Sequence, residues 1–425
     1  MTDIYQNENS TKSYVYLAAQ PDKPNIFTIA DKNEHRPKRK LISHVLSDHS
    51  MRKFESSMLA QIDIFLKQIL YFKSSAYNMT PACRHMGLNI AGKLGFGFDL
   101  GLQTDDTNRS LPTAITLGNH KTNACMQFTT LAVLLKPGFI VNMFTSSLRA
   151  RLMDMLMSMI KSRLAKPSDA EQDLLAVYAE QSDSDIKNIK QQSLWAEAVF
   201  FFAAGGETIA STLSAAFFYL SRNAEIYEKL AEEIRTTFQS ADEIRGGSKL
   251  SGCRYLRACI DETMRMSPPV PSTLWREAVK GQSLVVDGHA IPPGTQVGVN
   301  IYSLHHNEEY FPDSFKFDPE RWMPGAQPGR AHHAAFTPFS FGSRGCAGKS
   351  MAYLEMSLVL AKTLWYFDFQ RASSGAEKIM GDGISGFTHH GGEETEFPMY
   401  NLFAAGHDGP VLKFTSRGTW CDELQ

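Results

Sequence analysis

The chain is short of cysteine in any useful pattern: six in 425 residues, none spaced Cys-x-x-Cys, too scattered for a disulfide framework. A reducing, cytosol-facing compartment fits that usage. An excess of charge of one sign is missing too. Lys and Arg number 43 against 45 Asp and Glu, a formal charge of −2, which excludes bulk attraction to nucleic acid. Repeats, low-complexity tracts and obvious linkers are absent. The first eight residues are polar, without the apolar run of a signal peptide, and residues 421–425 resemble neither a retention signal nor a prenylation box. One stretch imitates a membrane span: residues 194–220, with phenylalanines at 200, 201, 202, 217 and 218. Glu197 and Glu207 lie inside it, and an acid at membrane depth is costly. The segment is therefore expected to be the buried central helix of a large soluble fold.

What is present is ordinary globular material, 43% hydrophobic and 21% charged, enough for one large core over residues 1–425. Apolar residues recur at helical spacing over 51–72, 153–164, 194–220 and 224–238. Residues 254–266 predict another helix, stopped by Ser267-Pro268-Pro269. After that the texture changes. Residues 283–289 alternate and turn at Asp287-Gly288, a short hairpin. Residues 307–341 form a long Pro-, Gly- and aromatic-rich loop, a length at which loops are usually functional. A helix over 347–366 and strands at 401–404 and 411–415 complete the expectation: a mainly α fold with small β-sheets.

The end of the long loop carries the chemistry. Phe339, Gly342, Arg344, Cys346 and Gly348 occupy five positions of an F-x-x-G-x-R-x-C-x-G pattern just before a helix. Glycines let backbone pass close to a flat ligand. A helix N-terminus offers free N–H groups and a positive dipole end, which favour thiolate. A thiolate is the haem ligand that promotes O–O cleavage, and Arg344 is placed to pair with a propionate. A lone cysteine at a helix start is ordinarily buried and inert; the whole pattern argues otherwise.

Further along the argument, Ala204-Gly205-Gly206-Glu207-Thr208 puts two glycines inside the long helix, each costing about 1 kcal/mol. A local bulge that makes room for O₂ is one reason for them; a close helix–helix contact is the other. Glu207 and Thr208 beside such a bulge form a proton relay. Glu262 and Arg265 share a helix face as Glu-x-x-Arg, with Pro319-Glu320-Arg321-Trp322 downstream. His35 and Arg39 share a face at the start of another helix, with Pro37 in its first turn.

The Cys346 loop is similar to the haem-binding loop of the cytochrome P-450 family, and the other three motifs stand in that family's order. The resemblance covers nearly the whole chain from about residue 14 onward. It implies a haem b cofactor on the Cys346 thiolate. Glu207 and Thr208 would then be catalytic. Glu262, Arg265 and Arg321 would form a structural triad. His35, Arg39, Arg276, Phe339, Gly342, Arg344 and Gly348 would hold the haem; the family often has Trp where His35 stands. It also implies a monooxygenase that uses O₂ and NADPH-derived electrons from a flavoprotein reductase, docked on a basic face for which Lys38, Lys40, Arg52 and Lys53 are candidates. Phe27, Phe202, Ala204, Val270, Pro271, Leu274, Leu402 and Phe403 fall in segments that line the family's pocket for a hydrophobic small molecule. The wording of 301–322 resembles ascomycete members that tailor secondary metabolites. Other outcomes of the same fold are a haem-thiolate isomerase or lyase that uses no O₂, and an inactive haem-binding fragment. The family's anchor, Pro-rich hinge, first helix and first hairpin have no counterpart ahead of residue 14, so an N-terminally truncated fold with an unpaired sheet edge and an exposed apolar face is expected. The anchored family sits on the cytosolic face of the endoplasmic reticulum; without an anchor the chain is expected in the cytoplasm.

Overall fold

The computed structural model describes residues 1–19, 24–72, 76–128, 146–165, 173, 196–197, 200–325, 333–372 and 395–424. Helix ends follow local chemistry. Asp31 accepts from the backbone N–H of Asn33 and Glu34 and starts the helix α3 at Lys32, to run to Val45. Helices α1 (Thr2–Tyr5) and α2 (Val15–Ala19) precede it. Pro37 therefore lies beyond the first turn, not within it as expected, because the Asp31 cap recruits three more residues. Ser47 caps α4, Asp48–Tyr71, and Asn78 caps α5, Met79–Phe96. Neither α5 nor α6 (Ser110–Gln127) stood out from periodicity. Helix α5 is buried on almost every side and has no polar stripe to give it a period.

The remaining long helices are α7 (Ser146–Leu164), α8 (Thr208–Arg222), α9 (Ala224–Thr237), α11 (Arg254–Met266) and α13 (Lys349–Tyr366), with short α10 (Ser248–Ser251) and α12 (Ile301–His305) between them. Helix α8 continues a π-helical segment, Ala203–Glu207. It lies at the centre, buried by α5, α11 and α13 in one large apolar cluster that includes Met86, Leu213, Phe217, Ile260 and Leu364. No helix among the described residues is long and apolar enough to cross a membrane.

The sheets are small. Strand β1 (Ser10–Lys12) pairs antiparallel with β3 (Arg276–Ala278), with Lys12 opposite Arg276. Strands β2 (Ala76–Asn78), β9 (Val411–Ser416) and β6 (Phe367–Arg371) form a three-stranded sheet with β9 in the middle. The hairpin β4 (Leu284–Val286) and β5 (His289–Ile291) turns at Asp287 and Gly288, both at positive φ, as the Asp-Gly pair predicts. The strand expected at 401–404 is instead the turn between β7 (Met399–Tyr400) and β8 (Gly406–His407). Phe403 sits there at φ 78, a backbone that cannot continue a strand.

Candidate active site

A cavity of about 650 Å³ lies between α3, α6, the π segment, α8, the 337–348 loop and α13, within the range of roughly 300–1,000 Å³ typical of small-molecule sites. Cys346 is in its wall. The loop that carries it is closed by Cys346 N–H to Phe339 O (2.8 Å) and Gly345 N–H to Gly342 O (3.0 Å). Phe339, Arg344 and Gly348 also line the cavity. Gly342 does not: at φ +70, a Cβ there would strike the carbonyl of Tyr5, so this glycine lets the loop close against α1.

The Cys346 thiol has accessible surface, and that surface opens into the cavity. Burial pushes the thiol up from its ordinary value, against the Gly348 N–H, Arg39 and Lys349, which favour thiolate. The sequence expectation had the opposite sign. The helix begins only at Lys349, so its dipole end stands off, and desolvation outweighs it. A thiolate at this spot needs a cation brought to it.

Cationic groups gather around that end. Arg39 donates to Gly345 O at 2.5 Å. Arg344 donates to Ile29 O and Ala30 O, both at 2.7 Å, and burial with Arg276 nearby brings its pKa down to about 10. His35 lines the cavity four residues from Arg39; burial first, then Arg344, Lys12 and Arg39, lower it to about 3, so it is a neutral imidazole. Arg276 lies behind the wall rather than in it, over the Tyr5 ring at 4.8 Å and bonded to Trp275 O at 3.0 Å. Lys12 was missed from sequence. It is buried in β1, donates to Phe27 O, and lies 4.2 Å from the Phe27 ring centroid. Only the β1–β3 pairing brings it beside Arg276.

On the central helix, Thr208 lines the cavity and donates to Ala204 O at 2.6 Å. Gly205 lines it too, while a Cβ on Gly206 would strike the side chain of Leu88. Bulge and close helix contact thus coexist, and both glycines pack on α5, since a Cβ on Gly205 would press on Ala91 at 3.2 Å. Glu207 turns away: its carboxylate pairs with Arg84 Nε at 2.6 Å and is not in the cavity wall. Burial raises Glu207, and Arg84 opposes that rise. Arg84, held also by Pro112 O at 2.7 Å, had no sequence signal. Neither had Glu355 on α13, fully buried, in the cavity wall, both oxygens without a partner, and pushed up to about 8 by burial alone.

The expected triad is assembled outside the cavity. Glu262 accepts from Arg265 Nε and Nη2 (2.9 Å each), Arg321 Nε (3.0 Å) and Trp322 Nε1 (2.9 Å). Arg265 also binds His305 O at 2.9 Å, and His305 Nε2 accepts the Thr337 N–H at 2.9 Å. Thr337 is in the wall two residues before Phe339, so the triad is tied to the cysteine loop through one histidine. That histidine is lowered to about 3 by burial and Arg265, which leaves Nε2 free to accept. Of the expected pocket residues, Phe27, Ala204, Val270, Leu274 and Phe403 are in the wall. Phe202 instead stacks on Phe96 in the core, centroids 5.5 Å apart, and Pro271 and Leu402 lie outside the wall. Of the basic-face candidates, Lys40, Arg52 and Lys53 are exposed; Lys38 is tied to buried Glu197 at 2.7 Å.

Residues 3–390 match the sequence profile of Cytochrome P-450. The chain belongs to that family. It is similar to a cytochrome P-450 monooxygenase of Penicillium oxalicum, 34% identical over 97% of this chain and 79% of its relative. It is also similar to one of Gibberella zeae, 32% identical over 98% of this chain and 97% of the relative. One of Alternaria alternata is 30% identical over 96% of this chain and 80% of the relative. The fold resembles the crystal structure of the cytochrome P-450DA haem domain, TM-score 0.76 at 17% identity, over 97% of this chain and 85% of that one. This P-450 is an oxidoreductase of the monooxygenase type whose cofactor is haem with cysteine-ligated iron. The cavity fits that group. Arg39 and Arg344 line the cavity near Cys346 with the positive charge that would match a macrocycle's carboxylates, while burial drives Lys12 well below the ordinary lysine range.

Proposed function

We propose that Cys346 ligates the haem iron of this P-450 and that the enzyme oxygenates a hydrophobic small molecule in fungal secondary metabolism, using NADPH-derived electrons from a flavoprotein reductase. The observation that carries the reading is that Cys346, Thr208 and the bulged glycine Gly205 face one cavity. When bound, the haem supplies oxygen activation, assisted by an electron-donating thiolate. The protein does the rest. The Gly348 N–H points at the sulfur and tempers its basicity. Arg39 and Arg344 would hold the carboxylate edge of the cofactor, with Lys12, whose burial favours the neutral amine, and neutral His35 as further hydrogen-bond donors there. Thr208 lines the cavity while its hydroxyl proton is donated to Ala204 O, which leaves its oxygen lone pairs to accept a hydrogen bond from a protonated group on the oxygen side. Glu207 is held as a carboxylate against Arg84 outside the cavity wall; on leaving that pair it would first take up a proton, as burial favours, and could then deliver it to the cavity. Phe27, Phe200 and Phe403 stack as an apolar wall, centroids 5.4 and 5.1 Å from Phe27, that excludes water and receives an apolar body.

The test is the reduced, CO-bound absorption spectrum of the purified chain. The red-shifted band of thiolate-ligated haem is expected from the native protein and lost in Cys346→Ala. The same band in Cys346→Ala would overturn the assignment.

A further inference from the structure

Charge in the cavity is one-sided. Lys12, Arg39, Lys121 and Arg344 are its basic lining residues and Glu355 the one Asp or Glu among the described lining residues, held neutral below about pH 8 by burial. Three of those side chains are already committed near the cysteine loop, each bonded to backbone carbonyl oxygen: Lys12 to Phe27 O, Arg39 to Gly345 O, and Arg344 to Ile29 O and Ala30 O. Lys121 is different. It projects from α6, is only partly exposed, and has no ion pair or side-chain hydrogen bond among the described residues. On the same stretch of α6, Asn119 is 8% exposed and Thr122 half-buried. Both line the cavity, and neither side chain has a hydrogen-bond partner among the described residues. A buried amide without a partner is costly unless something fills its bonds. Asn119 lines the cavity, so a ligand there can fill them. Next to it, Met126 packs with Val15 and Tyr16 against Phe27 and Phe403, so an apolar wall adjoins the polar patch.

We propose that Lys121, with Asn119 and Thr122, binds the anionic end of the substrate, so that this P-450 takes hydrophobic carboxylic acids, carboxylate on α6 and apolar body against Phe27 and Phe403. This rests on the reading of the cavity as the haem and substrate site. The ammonium supplies the charge; the Asn119 amide and Thr122 hydroxyl supply neutral donors that orient the second oxygen. No bond is made or broken at this end: the α6 patch sets which way round the substrate lies, and hence which carbon faces the oxygen side.

The experiment is calorimetric binding to the haem-loaded full chain of decanoic, 3-phenylpropanoic and 2-naphthoic acids, each against its methyl ester. Acids are expected to bind about tenfold more tightly than esters, the worth of one charge-assisted hydrogen bond. Lys121→Met abolishes the preference, Lys121→Arg keeps it, and Asn119→Leu weakens the acids alone. Equal binding of acid and ester, a preference that survives in Lys121→Met, or failure of every acid to bind overturns the proposal. The CO spectrum of the same samples separates this from the haem reading. A chain without the thiolate band that still prefers acids sinks the assignment of Cys346 and leaves the α6 patch standing.

Discussion

Two carboxylates, Glu262 and Glu355, are equally inaccessible to solvent, and they live in opposite worlds. Glu262 has two guanidiniums, an indole N–H and the Asp318 N–H on its oxygens. Glu355 has no partner on either oxygen among the described residues. The first is a charge whose burial is offset by complete pairing, the condition under which a buried ion survives. The second is a carboxyl that burial drives toward its neutral form. The contrast separates a paired brace from an open wall: the Glu262 carboxylate at the centre of the triad is fully partnered, whereas some groups in the cavity wall keep capacity in reserve. Asn119, Lys121 and Glu355 all belong to the second kind.

The contrast breaks first at Glu262. Glu262→Gln leaves Arg265 and Arg321 buried and uncompensated, and a loss of about 3–5 kcal/mol is expected. Urea unfolding should show it, along with poor retention of haem. A variant as stable as the native chain would mean that the triad does not brace the loop.

Glu355 sharpens the other side through pH. Its folded value of about 8 lies above the ordinary 4.5, so the folded state keeps a proton that the unfolded chain releases. Its contribution is most favourable below about pH 4.5 and is lost as pH rises toward about 8, a fall of a few kcal/mol by linkage. Glu355→Gln stays neutral throughout, so its urea midpoint should drift less between pH 5 and 8 than that of the native chain. Parallel pH profiles would mean that the carboxyl has a partner.

Thr208→Ala tests the cavity side without touching the brace. The CO-bound band should persist while product formed per O₂ consumed falls several-fold, measured as oxygen uptake against product. Unchanged coupling would remove Thr208 from proton handling. The smallest effect is expected at the surface. Lys40→Glu, Arg52→Glu and Lys53→Glu together should shift stability by less than about 1 kcal/mol yet slow reduction by a flavoprotein reductase at low salt, seen by stopped-flow absorbance.

Much of this was legible because it is local. The Cys346 pattern spans ten residues, Glu262 and Arg265 are one helical turn apart, and Asp287-Gly288 specifies its own turn. The helix over 254–266 was readable at both ends from its stripe and its prolines. Where neighbours decide, reading along the chain failed. Helix α5 hid because it is buried all round. Phe202 looked like a pocket residue and turned into the core against Phe96. Glu207, expected beside the oxygen, is held off by Arg84, 123 residues away.

The sequence alone determined which groups exist at fixed short spacing: a thiol among glycines ahead of a helix, an acid and a hydroxyl beside a bulge, an acid and a guanidinium on one face. These follow from covalent geometry and helical period, which act within a few residues. Tertiary structure decided the protonation and reach of each group. The Cys346 thiol rises instead of falling, burial beside Arg276 and Arg344 drives Lys12 well below the ordinary lysine range, Glu355 stays neutral, and Lys121 is left without a partner among the described residues, because desolvation and pairing depend on atoms that only folding brings from distant parts of the chain.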